Sequence, residues 1–111
     1  MSRLSTKSKS ILRREVMQFR NWMRPDLTGF EIGFFDDHAL VMALTTRGRY
    51  PMCEIWYEGR FQLWRFTLPS PAGFLPGRLA DGAILSEVHD VLFHASFQVP
   101  RLPEYPPQLT P

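Results

Sequence analysis

Residues 50–68, YPMCEIWYEGRFQLWRFTL, carry the strongest structural signal in this chain. Residues 52–57 and 60–68 are rich in the aromatic and apolar side chains that strands favour. Between them, Gly59 tolerates the positive φ that tight turns require. We therefore predict a β-hairpin, and each of its strands contains one tryptophan.

The length of the hairpin loop decides which side chains share a face. A two-residue loop at residues 58–59 pairs Tyr57 with Arg60. A three-residue loop at residues 57–59, with Gly59 left-handed, pairs Trp56 with Arg60 instead. We favour the second because it separates the two faces cleanly, and it turns toward the core Cys53, Ile55, Phe61 and Leu63. The other side, the predicted aromatic hairpin face, then holds Glu54, Trp56, Arg60, Gln62 and Trp64.

Two interpretations of the aromatic hairpin face remain open. The first is a recognition surface, because Trp and Arg dominate binding hot spots and indoles can stack on bases. The second is packing against a helix of the same domain, with Arg60 over Trp56 as a cation–π pair. The small size of the domain favours packing, since most of its aromatic area is needed for stability.

The composition indicates one folded domain, which we assign to residues 1–99. Of the 111 residues, 44% are hydrophobic and 14% aromatic, so a core can form and disorder is not the default. The single cysteine, Cys53, excludes an internal disulfide, and no histidine lies at metal-ligand spacing from it. No apolar run approaches the roughly 18 residues that span a bilayer. We therefore expect a cytoplasmic protein with no signal peptide and no membrane partner.

Positive charge is concentrated at the start of the chain. Residues 1–24 contain seven Lys and Arg against Glu15 alone, although the net charge of the chain is only +2. We predict a helix here, capped by Ser5 or Ser8 and ending before Pro25. At about 100° per residue, its apolar sector contains Ile11, Leu12, Val16, Phe19, Trp22 and Met23. A basic stripe beside that sector, within about 60°, contains Lys9, Arg13, Arg20 and Arg24.

Three interpretations of the basic stripe compete. It can be the solvated face of a helix that packs on the core through its apolar sector. It can bind nucleic acid, because clustered Lys and Arg neutralise phosphates and release counterions. It can also rest on a membrane surface, but that requires the apolar sector to be unused by the fold, so we place it last.

The segment between the helix and the hairpin predicts two further strands. Residues 29–35 and 39–46 have strand character, and residues 36–38 turn between them. Together with the hairpin they form a four-stranded antiparallel meander, because all the connections are short. The alternation of Leu40, Met42 and Leu44 gives this sheet one consistently apolar face.

The composition changes after Leu68. Prolines and glycines in residues 69–77 predict a long irregular loop. Asp81 can then cap a second helix whose apolar positions are Ile84, Leu85, Val88, Leu92 and Ala95. Residues 100–111 contain enough proline to favour an extended polyproline II tail, with Tyr105 as its one aromatic residue.

Catalytic patterns are weak throughout the chain. Ser86, His89 and Asp90 cannot converge as a triad if they lie on one helix. Asp36 and Asp37 beside His38 are explained by turn formation. A nuclease-type acid-x-lysine triplet is absent, since no lysine follows Lys9. We therefore predict no enzymatic activity, cofactor, metal site or small-molecule substrate.

The sequence thus predicts an α+β domain with an N-terminal amphipathic helix, a four-stranded meander, a long Pro/Gly loop and a second helix. Its predicted function is non-enzymatic binding. The expected partner is a protein, a second copy of the chain included, bound through the aromatic hairpin face. The alternative is nucleic-acid binding through the basic stripe.

Overall fold

The computed structural model describes residues 3–100 of the protein. Within them lie, in chain order, α1 (Thr6–Met23), β1 (Gly29–Phe34), β2 (Ala39–Thr45), β3 (Gly48–Glu58), β4 (Leu63–Ser70), β5 (Gly73–Pro76), β6 (Leu85–Ser86) and α2 (Val88–Ser96). The strands form one antiparallel sheet of order β1-β2-β3-β4-β5, and β6 pairs with β4. The α+β architecture is confirmed, while the predicted four-strand meander is extended by β5 and β6. The prediction of a long irregular loop over residues 69–77 is wrong, because β4 continues to Ser70 and β5 pairs with it. The predicted polyproline tail lies outside the described residues beyond Pro100.

Helix α1 begins and ends where its capping residues predict. Ser5 is the N-cap, and its Oγ accepts a hydrogen bond from the Ser8 backbone N–H at 3.0 Å. The helix ends at Met23, two residues before Pro25. Leu12, Val16 and Phe19 are buried, but Trp22 is 82% exposed, so the buried stripe is narrower than the predicted apolar sector. No helix in residues 3–100 has the length and apolarity to cross a bilayer.

The two faces of the sheet differ in what covers them. Ala39, Val41 and Ala43 of β2 are fully buried in the core together with α1 and α2 residues, so the helices cover this face. Leu40, Met42 and Leu44 alternate with these β2 residues and are half-buried. The predicted apolar face of β2 therefore exists, but it points away from the helices.

The register of the β3–β4 hairpin differs from our prediction. Tyr57 pairs with Trp64 and Glu58 pairs with Leu63, so the loop comprises the four residues 59–62 rather than three. The left-handed residue is Gln62, with φ 57°, and not Gly59. Trp64 is consequently 3% exposed and belongs to the core. Burying an entire indole outweighs the conformational preference of glycine at the turn.

The faces of the hairpin change accordingly. Cys53 and Ile55 are buried as predicted. The prediction for Phe61 and Leu63 is wrong, because Phe61 lies exposed in the loop and Leu63 lies on the side away from the helices. Changing the loop by one residue shifts every position of the following strand to the opposite face.

Helix α2 begins later than predicted. Its N-cap is Glu87, and Asp81 instead closes a turn by accepting a hydrogen bond from the Ala83 N–H at 3.0 Å. Gly82, at φ 91°, reverses the chain there. Leu85 lies in β6 and Ile84 is exposed, whereas the predicted helical contacts of Val88, Leu92 and Ala95 with the core are confirmed.

Candidate functional site

The side of the sheet that the helices leave uncovered carries a continuous apolar surface. Pairing places Leu40 opposite Glu54, Met42 opposite Pro51 and Leu44 opposite Arg49. On the next pair of strands, Trp56 lies opposite Arg65 and Glu58 opposite Leu63. We call this surface the open face, and its members are Phe35, His38, Leu40, Met42, Leu44, Arg49, Pro51, Glu54, Trp56, Glu58, Leu63 and Arg65.

Three rings and one guanidinium form a row at one end of the open face. The Phe35 and His38 rings are stacked with centroids 4.8 Å apart, and His38 stacks on Trp56 at the same distance. The guanidinium carbon of Arg65 lies 4.4 Å from the Trp56 ring centroid. The predicted cation–π pair on Trp56 is therefore formed, but by Arg65 instead of Arg60. Cross-strand pairing explains this, because Arg65 faces Trp56 directly.

Polar contacts fix the members of this row. The His38 ring is held by a hydrogen bond from its Nδ1 to Asp37 Oδ1 at 2.7 Å. This hydrogen bond lowers the pKa of the Asp37 carboxyl from its ordinary value. Arg65 Nε donates a hydrogen bond to Glu58 Oε2 at 3.3 Å, so the guanidinium contacts both the Trp56 ring and a carboxylate. Trp56 is thus presented in a defined orientation.

The open face carries charges of both signs, at its centre as well as at its ends. Glu54 lies on the central strand β3, and its Oε1 accepts a hydrogen bond from Thr67 Oγ1 at 3.0 Å. At the other end of the face, Arg49 Nη1 lies 3.2 Å from Glu31 Oε1. Apolar side chains interspersed with paired polar groups are compatible with a protein interface.

The predicted aromatic hairpin face is only partly assembled. Glu54 and Trp56 lie on the open face, while Trp64 is in the core and Arg60 and Gln62 lie exposed in the loop. The residues that sequence reasoning missed are Phe35, His38, Leu63 and Arg65. Strand parity could have identified His38, because it shares the two-residue alternation of Leu40, Met42 and Leu44.

The predicted basic stripe is also corrected by the structure. Arg24 is 3% exposed, and its guanidinium pairs with Asp26 instead of facing solvent. Lys9 Nζ and the Arg13 guanidinium lie 5.5 Å and 4.8 Å from the Phe34 ring centroid. Arg20 Nε donates a hydrogen bond to the Leu27 carbonyl at 2.9 Å. Three members of the predicted basic stripe therefore remain on α1, namely Lys9 and Arg13 against Phe34 of β1 and Arg20 at the Leu27 carbonyl.

The side chains that could bind a metal ion or act as nucleophiles are dispersed over the fold. In the described part of the chain, no cluster of three or more His, Cys, Asp or Glu side chains could hold a metal ion. Ser86 lies in β6 and donates a hydrogen bond to Asp90 Oδ2 at 3.3 Å. Cys53 is fully buried, and burial raises the pKa of its thiol to about 12, with the charge of Glu54 adding to the effect.

Cys53 is expected to be unreactive in the native protein. The thiolate is the reacting species, and at about pH 8 a thiol of such high pKa supplies almost none. A maleimide should label the folded chain at least about a hundredfold more slowly than the urea-unfolded chain, followed by intact-mass spectrometry. Equal labelling rates would contradict the buried position.

Of the described surfaces, the open face is the one that combines partly buried apolar side chains, a stacked aromatic row and paired charges. No protein-family model matches this chain, and neither a curated protein nor a solved structure does.

Proposed function

We propose that this protein is a non-enzymatic binding module that binds protein through its open face. The partner that we propose is the open face of a second copy of the chain. The row formed by Phe35, His38, Trp56 and Arg65 carries this proposal. Trp and Arg are the side chains most enriched in binding hot spots.

The order within this row favours binding over a merely solvated surface. Docking normally costs about 0.5–1.5 kcal/mol for each side chain that must be immobilised. Here His38 and Arg65 already restrain the Trp56 ring. Much of the side-chain entropy that docking would remove is therefore already absent in the free protein. The adjacent leucines and methionine would lose their remaining contact with water on docking.

Self-association is supported by the distribution of charge on the open face. Arg49 and Glu58 lie at opposite ends of β3. When two such faces meet about a two-fold axis that runs across the strands, Arg49 of one copy faces Glu58 of the other. At each end of the contact, Arg49 with its partner Glu31 then meets Glu58 with its partner Arg65 of the other copy, while Leu40, Met42 and Glu54 lie nearest the axis.

The proposal predicts a reversible dimer that depends on Trp56. In sedimentation velocity from about 1 to about 500 μM, the native chain should shift from monomer to dimer. Trp56→Ala should weaken the dimer at least about thirtyfold, as expected for a hot-spot residue worth ~2 kcal/mol. Met42→Glu should abolish it, because a charge would be buried at the centre.

Trp22→Ala is the matched control, since Trp22 is 82% exposed on α1 and lies away from the open face. This variant should dimerise like the native chain, and circular dichroism should show that all variants are folded. A native chain that stays monomeric across the range would contradict the second-copy occupant. If Trp22→Ala and Trp56→Ala weakened the dimer equally, the interface would not be the open face.

A further inference from the structure

A second surface, separate from the open face, lies between α1 and the edge of the sheet. A groove of about 490 Å³ runs along β1, which has a strand neighbour on one side only within residues 3–100. Its floor is apolar and comprises Val16, Phe30, Ile32 and Phe34. Its helical wall comprises Arg13, Met17 and Arg20, and no acidic residue lines it.

The free edge of β1 presents its main chain to this groove. The Phe35 N–H donates to the His38 carbonyl at 2.8 Å, which fixes the alternation of hydrogen-bonded pairs along β1 and β2. The backbone groups that form hydrogen bonds with β2 are thus those of Gly29, Glu31, Gly33 and Phe35. The N–H and C=O groups of Phe30, Ile32 and Phe34 point outward, and in the described part of the chain no hydrogen bond outside the sheet ladders engages them. An edge of this kind is a template for another strand.

The groove also has a defined spacing of charge. Arg13 lies over Phe34 at one end of β1, and Arg20 bonds to Leu27 just before the other end. Seven residues of helix separate the two arginines by about 10 Å, and the spacings nearest to this that keep two side chains on one face of an extended chain are two and four residues, about 7 and 13 Å. Met17 lies between them and is 59% exposed.

We propose that this groove binds an extended acidic peptide segment of a partner protein, which adds to β1 as a further strand. Its main chain pairs with the outward groups of Phe30, Ile32 and Phe34. One apolar side chain packs between Met17 and Ile32. Acidic side chains two residues before and two residues after it reach Arg13 and Arg20, so the recognised pattern is acidic-x-apolar-x-acidic.

The structure favours a peptide over a nucleic acid in this groove. Alternating main-chain donors and acceptors match a second peptide backbone, whereas a phosphate chain offers acceptors alone. The apolar floor also matches an aliphatic side chain. The loss of Arg24 to the interior removes one of four cations that a phosphate-binding stripe would use.

The peptide TETVTET tests this proposal against two controls. The first control, ETTVTTE, has the same composition, but its glutamates lie on the face of the strand opposite to valine. The second control, TKTVTKT, has lysine in place of each glutamate. Titration of the full chain, followed by ¹⁵N–¹H spectra, should show TETVTET shifting the amide signals of Phe30, Ile32 and Phe34. Both controls should bind at least about tenfold more weakly. Equal binding of all three peptides would overturn the proposal.

Two variants and one competing ligand complete the test. Arg13→Glu with Arg20→Glu should lose TETVTET and bind TKTVTKT, which a folding defect could not produce. Met17→Glu, which changes an exposed side chain and removes no hydrogen bond, should weaken TETVTET at least about tenfold. A single-stranded oligonucleotide that binds more tightly than TETVTET and loses its affinity in both variants would overturn the peptide assignment.

Discussion

Replacing Arg24 with leucine should lower the free energy of unfolding by about 3–5 kcal/mol. The Arg24 guanidinium forms two bonds of 2.9 Å with the Asp26 carboxylate. It also donates to the carbonyls of Ser96, Val99 and Pro100 at 2.9, 3.1 and 3.2 Å. One side chain therefore ties the end of α1 to the end of α2. Leucine would remove all five bonds, two of them to the Asp26 carboxylate and three to backbone carbonyls.

Urea unfolding monitored by circular dichroism measures this effect. Arg14→Leu is the control, because Arg14 is exposed and its Glu15 contact, at 3.9 Å, is weak. It should change the stability by no more than about 0.5 kcal/mol. Arg24→Lys keeps the charge but loses the planar fork, so most of the destabilisation should persist. A loss below about 1 kcal/mol in Arg24→Leu would mean that water satisfies these groups equally well.

Arg24 also shows where helical periodicity stops being predictive. Its position in the basic stripe follows from a rotation of about 100° per residue. That rotation applies only to residues in the helix, and Arg24 is the C-cap, with φ −137° and ψ 61°. The side chain therefore leaves the stripe and turns inward. The capping signals themselves predicted the end of α1 before Pro25 and left its start open between Ser5 and Ser8, of which Ser5 is the N-cap.

The candidate site was harder to predict than the elements that form it. The positions of β1 and β2 follow from their composition and from the turn at residues 36–38. The members of the open face depend on one further quantity, the length of the β3–β4 loop. Glycine is the residue most expected to adopt a positive φ, but Gln62 does so here, so turn chemistry pointed to the wrong loop. Trp64 therefore lies in the core instead of on the predicted aromatic hairpin face, and Arg65 takes the position over Trp56 that was predicted for Arg60.

Gly77→Ala should lower the free energy of unfolding by about 3 kcal/mol, at the upper end of the usual cost of overpacking. A Cβ atom at this position would overlap Cδ2 and Cε2 of Phe66 and lie 3.1 Å from the Phe66 carbonyl oxygen. The Gly77 N–H donates to that carbonyl at 2.9 Å, which holds the two backbones together. Phe66 is almost completely buried and pairs with Ile55, so its ring has no space into which to move.

A double-mutant cycle separates this steric cause from a general effect of losing glycine. Gly29→Ala is the control, because no atom lies within 4 Å of its added Cβ, and it should change the stability by no more than about 0.5 kcal/mol. Phe66→Leu alone should destabilise the core, yet it removes the ring atoms that alanine at position 77 meets. Combined with Gly77→Ala, it should therefore cost less than the sum of the two single changes, by at least about 1 kcal/mol. Additive costs would place the strain in the backbone at position 77 rather than in its contact with the Phe66 ring.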